Sequence, residues 1–138
     1  MTLAVDTNVL VRFLVRDDPA AFEETRHVFE QSTIVIPMTV LVETEWVLRF
    51  RYGFRRDQIA DALERLFSVP TIEAADLRAA YAALGWFRAG MDLADAVHLA
   101  VLAGCDSLVT FDRDFVRLST RMQTFPPAVL PQPAPGTA

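Results

Sequence analysis

The sequence predicts an α/β domain with a mainly parallel sheet. Three observations predict it. Short apolar, β-leaning runs at 2–5, 33–36, 70–72 and 107–110 alternate with segments of helical period. Residues 93–103 are apolar nearly all round, which marks a helix inside the domain rather than on it. Two of the runs, Leu3-Ala4-Val5-Asp6 and Leu108-Val109-Thr110-Phe111-Asp112, close on an aspartate. In open α/β sheets ligands bind outside the carboxyl ends of the strands, so both aspartates are expected in one crevice.

Along the chain, Thr2 to Val5 reads as the first strand, and Asn8 onward, with Val9, Leu10, Val11, Phe13 and Leu14, as a helix. Pro19 stands where a first helical turn tolerates proline, and Phe22, Val28 and Phe29 carry that helix to about Gln31. Residues 33–36 form a brief second strand stopped by Pro37. An apolar helix over 39–52 closes at Gly53, and another covers 56–67. Residues 70–72 make a weak third strand, and an Ala-rich helix covers 73–88, broken at Gly90. The helix over 93–103 is capped by Gly104, a fourth strand follows at 107–110, and a short helix ends near Leu118. Five prolines between 126 and 135 predict a loosely extended or disordered tail over 126–138, after a folded unit over 1–125.

At 138 residues, 52% hydrophobic and 22% charged, the chain is long enough for one core and too apolar for disorder. Cys105 is the single cysteine, which excludes an internal disulfide and a cysteine-based zinc cluster. The opening residues show no signal peptide, and no apolar stretch reaches the length of a membrane span, so a cytoplasmic protein is expected. The net charge of −5 argues against nucleic-acid binding by bulk electrostatics. Phosphate must then be met locally, by bound metal or by arginines. All thirteen basic residues are arginine, and Arg49, Arg51, Arg55, Arg56 and Arg65 form a run that reads either as a phosphate patch or as a solvated helix face.

Besides Asp6 and Asp112, two more carboxylates stand out. Glu43 shares its spacing with Val40, Trp46 and Val47, so it is expected on the core-facing stripe, where an unpaired carboxylate demands a cation or a proton. Glu45, four residues before Arg49, is expected at the surface. In Asp92-Leu93-Ala94-Asp95, Asp92 is explained by capping alone, whereas Asp95 enters an otherwise apolar helix. His98, one turn on, reads as a satisfied core residue. Asp114 rivals Asp112 for its role, while Thr7, Asn8 and Thr110 flank the acids and are placed to hold metal-bound water or orient a carboxylate. As short polar residues at strand–helix turns they need no such role. An oxygen-only donor set selects hard cations, favouring Mg2+ or Mn2+ over zinc or copper.

The segments Val5-Asp6-Thr7-Asn8-Val9-Leu10, the Glu43 helix, Asp92-Leu93-Ala94-Asp95-Ala96 and Thr110-Phe111-Asp112-Arg113-Asp114-Phe115 stand in an order and spacing that resembles the PIN-domain ribonucleases, specifically the VapC-type toxins of bacterial toxin–antitoxin pairs. The resemblance covers roughly residues 1–120. It implies an acidic quartet of Asp6, Glu43, Asp95 and Asp112, Mg2+- or Mn2+-dependent endoribonuclease activity, and inhibition by a VapB-like antitoxin whose peptide covers the cleft. It also implies a PIN-like fold, a central parallel sheet flanked by helices, often assembled as a homodimer or a larger toxin–antitoxin complex. Within that resemblance Asp92 is an extra carboxylate placed to reach the metal through water.

Two rival classes remain. An aspartate-nucleophile phosphatase would want a second aspartate two residues after Asp6, where Asn8 stands. A catalytically idle PIN-like domain would keep the acidic cleft only to receive a basic partner segment.

Overall fold

The computed structural model describes residues 1–136. The chain runs β1 (Thr2–Ala4), α1 (Thr7–Val15), α2 (Pro19–Gln31), β2 (Thr33–Ile36), α3 (Met38–Phe50), α4 (Arg56–Phe67), β3 (Ile72–Ala74), α5 (Leu77–Arg88), α6 (Leu93–Ala100), β4 (Leu108–Val109), α7 (Arg113–Met122) and β5 (Ala128–Val129). Every strand pairing is parallel. β2 lies between β1 and β3, with Leu3 opposite Ile34 and Val35 opposite Glu73. β4 and β5 form a second, two-stranded ladder, Leu108 opposite Ala128. This is the expected α/β fold with helices packed around parallel strands.

Alternation decides what β2 and β3 bury. Ile34 and Ile36 are fully buried, while Thr33 and Val35 between them are only partly covered. Burying each isoleucine contributes roughly 1.5–3 kcal/mol. In α4 the buried set Ile59, Ala60, Leu63, Leu66 and Phe67 follows helical spacing and faces the same core. α6 buries Leu93, Ala96, Val97, Leu99 and Ala100, in accord with its nearly all-apolar sequence.

Several boundaries depart from the sequence reading. The third strand lies at Ile72–Ala74 rather than 70–72, and Glu73 belongs to it: it is exposed between buried Ile72 and Ala74. The next helix starts only at Leu77, because the Asp76 carboxylate accepts from the Ala79 amide at 3.0 Å and caps it there. α6 ends at Ala100 rather than 103, and Gly104 is not its cap: the Val101 amide donates back to the Val97 carbonyl at 3.1 Å. The last helix runs on to Met122, past Leu118.

The segment expected to begin a loose tail at Pro126 instead contributes β5. The Pro127 carbonyl accepts from Leu108, and the buried Ala128 amide donates to Ser119 Oγ at 2.8 Å. Proline lacks a donor but keeps its carbonyl, so the prolines do not prevent a short edge strand. Residues 131–136 are exposed and without regular structure. Residues 137–138 of the expected tail lie outside the described residues. No helix among the described residues is long and apolar enough to cross a membrane.

Candidate active site

Asp6 follows β1 and caps α1, its Oδ1 accepting from the Thr7 amide at 2.7 Å. The next residue, Thr7, is buried, and its hydroxyl donates to Glu43 Oε2 at 3.2 Å. Thr7 therefore brings Asp6 and Glu43 into a single neighbourhood, although they stand 37 positions apart in the chain. Asn8, alongside, is exposed.

Asp95 stands in the first turn of α6, half-buried. Burial pushes its carboxyl above the usual aspartate range, and the negative charges of Asp92 and Asp112 push it further, with His98 opposing them. Asp112 follows β4 and caps α7, accepting from the Asp114 and Phe115 amides at 3.0 and 3.1 Å. The Thr110 hydroxyl accepts from the Asp112 amide at 3.0 Å and fixes that turn. Asp114 is drawn away by Arg117, at 2.6 Å.

Four expectations are corrected here. Glu43 does not lie on the core stripe: it is exposed, whereas Glu45 is buried, with 3% of its surface accessible. The stripe of α3 is Val40, Leu41, Thr44, Glu45 and Leu48, and apolar Trp46 and Phe50 are the residues left outside. Arg49 does pair with Glu45, at 2.8 Å, but this pairing accompanies the acid into the interior instead of marking it as surface. His98 is exposed rather than a core residue. Asp92 occupies the N-cap position of α6 without any side-chain capping bond, and its carboxylate faces Arg49 at 3.6 Å.

The arginine run is likewise not one phosphate patch. Arg49 is engaged by Glu45 and Asp92, and Arg55 by Asp57. Arg56 donates to the carbonyls of Phe87 and Met91 at 2.6 and 2.8 Å and lies over the Phe87 ring. Arg51, Arg56 and Arg65 form no ion pair among the described residues, and of these only Arg51 and Arg65, both exposed, are not engaged with backbone carbonyls either.

Next to Glu43, α3 and α6 enclose an apolar groove of about 470 Å3 lined by Met38, Val42, Val97, His98 and Val101 among others. Sequence reading missed it. Its signal was the spacing of Ala94, His98 and Val101, one turn apart on a helix taken to be buried all round.

The four carboxylates are thus linked two by two, Glu43 to the residue after Asp6 through the Thr7 hydroxyl and Asp95 to Asp112 through the charge it feels. No three acidic, histidine or cysteine side chains among the described residues converge closely enough to form a metal-holding group as they stand. The donor set nevertheless fits a hard divalent cation. All donors are carboxylate oxygens, and none of the four carries a salt bridge among the described residues, whereas their neighbours Glu45, Asp92 and Asp114 do. The like charge around Asp95 is what a cation relieves.

Parallel strands leading into helices, with carboxylates free of salt bridges just beyond β1 and β4, define the class of the fold as α/β. The family model described as PIN domain matches residues 3–120, and the chain belongs to the PIN-domain family. PIN domains generally have a nuclease fold and typically depend on Mg2+ or Mn2+ held by acidic residues. Comparison with curated proteins and with solved structures returned no match.

Proposed function

We propose that this protein is a Mg2+- or Mn2+-dependent endoribonuclease acting as the toxin of a VapBC-type toxin–antitoxin pair. The observation that carries the reading is Asp95: half-buried, beside the negative charges of Asp92 and Asp112, and in no salt bridge among the described residues, with only the weaker influence of His98 opposing them. Such a group is costly in water-free surroundings and is stabilised by a divalent cation.

Asp6, Glu43, Asp95 and Asp112 would hold the metal. When bound, it supplies a more acidic water and stabilises negative charge on a phosphodiester. The protein's own residues do the rest. Thr7 orients Glu43, Thr110 fixes the turn that presents Asp112, and His98 is available at the groove edge to donate or accept a hydrogen bond. Asn8, exposed one residue beyond Thr7, would hold or orient water beside these carboxylates. The backbone amides of Asp114 and Phe115 keep Asp112 oriented.

The groove beside Glu43 supports the antitoxin partner. A VapB-like peptide with apolar anchors for Met38, Val42 and Val101 would bring a basic side chain to the acids and exclude substrate. Exposed Trp46 and Phe50, their rings tilted at 48° with centroids 5.1 Å apart on the outer face of α3, support a homodimer or larger assembly. The lone exposed Cys105 suits a reducing cytoplasm.

A catalytically idle binding module is the second reading, favoured by the absence, among the described residues, of three acids converged into a metal-holding group, beside an apolar groove. Incubating the purified protein with structured and unstructured RNAs in EDTA, Mg2+ or Mn2+, and mapping the ends, separates the two. Cleavage that requires metal and disappears in folded Asp6→Asn and Asp95→Asn variants is expected. Partner binding indifferent to metal, with RNA left intact, would establish the idle module.

A further inference from the structure

We propose that Arg49 is a positioning residue that sets the separation of Glu43 and Asp95 by tying α3 to the start of α6. The inference rests on the reading that these carboxylates share a cation. Glu45 is buried, and Arg49 lies against it with Nε 2.8 Å from Oε1 and Nη2 donating to Oε2 at 3.3 Å. The same Nη2 stands 3.6 Å from Asp92 Oδ1. Asp92 therefore gives its carboxylate to α3 rather than to its own helix end.

Asp92 is a handle on α6. Its carbonyl accepts from the Ala96 amide at 2.9 Å and begins the helix in which Asp95 occupies the first turn. The preceding residue is held too, because Arg56 of α4 donates to the Met91 carbonyl. Two arginines from different helices thus clamp the segment that enters α6. Arg49 also neutralises Asp92, which lies three residues from Asp95 and adds to the charge upon it. Lysine cannot replace this arrangement. Its ammonium is one point charge, whereas the guanidinium fork meets two carboxylates in different directions.

The test is Mn2+ titration of the full chain by calorimetry, without RNA, on wild type, Arg49→Lys, Arg49→Gln and a control, Arg88→Gln, whose arginine pairs with Asp61 and Glu64 elsewhere. Amide hydrogen exchange at Ala96 and Val97 is followed in parallel. Both Arg49 variants are expected to bind Mn2+ at least about tenfold more weakly, with faster exchange at the start of α6, and Arg88→Gln as wild type. The sign is diagnostic: removing a cation beside a metal site tightens metal binding by Coulomb's law alone, so weaker binding in Arg49→Gln requires lost positioning. Affinity equal to or above wild type in either folded variant overturns the proposal. Should Arg49→Gln fail to fold, the charge-retaining Arg49→Lys decides. Should wild type itself take up no Mn2+, the nuclease reading fails separately, and unchanged exchange at Ala96 and Val97 would then overturn the role of Arg49.

Discussion

The Thr7 hydroxyl donates to Glu43 Oε2 at 3.2 Å, joining the first turn of α1 to the second turn of α3. Thr7 is buried and also gives its amide to Asp6, so one residue orients two candidate ligands. Thr7→Val keeps the shape and deletes the hydroxyl. It is expected to lower stability by about 1 kcal/mol and to reduce metal-dependent cleavage roughly tenfold or more. Thr7→Ser, which restores the hydroxyl, is expected to recover most of the rate. Thermal melts and initial rates on one RNA check both, and a Thr7→Val enzyme with wild-type rates would remove Thr7 from the site.

Asp95 makes stability depend on pH in a definite direction. Its carboxyl is raised in the folded protein by burial first, then by Asp92 and Asp112. Between the unfolded and folded values the native state binds more protons, so stability falls as pH rises through that window. In metal-free buffer Asp95→Asn is therefore expected to melt higher than wild type at pH 7, with the difference fading as pH falls below about 4 and gone by about pH 3, where the aspartate is protonated in both states. Adding Mn2+ should raise the wild-type melting temperature and leave that of Asp95→Asn nearly unchanged. Melts across pH with and without Mn2+ measure this, and a less stable Asp95→Asn at pH 7 would contradict it.

Arg56 is structural despite belonging to the basic run. It satisfies the carbonyls of Phe87 and Met91 and stacks on Phe87. Arg56→Ala is expected to cost about 1–3 kcal/mol, since hydrogen bonds from a charged donor are lost. The salt dependence of RNA binding should not change, whereas loss of a phosphate contact would reduce the slope by about one unit. Denaturant unfolding and a salt titration of RNA affinity distinguish the outcomes.

The α3 carboxylates show where sequence reading stopped. Partly covered Val42 and Val47 with exposed Trp46 and Phe50 give α3 a second apolar stripe, so two stripes competed and periodicity alone favoured the wrong one. Glu45, expected from its spacing at the surface, is buried against Arg49. Glu43 was singled out for a burial it does not have, and its place beside Asp6 rests instead on Thr7.

By itself the sequence determined the α/β class, the parallel strands and the place of Asp6 and Asp112 just after strands β1 and β4, because these depend on residues close together in the chain: β-branched runs and helical spacing. Only the tertiary structure decided which face of α3 enters the core, that Arg49 reaches Asp92, that His98 is open to a groove, and that the chain past Pro126 pairs with β4. Each of these is a contact between segments remote in sequence, where the packing of several helices outweighs the preference of any one of them.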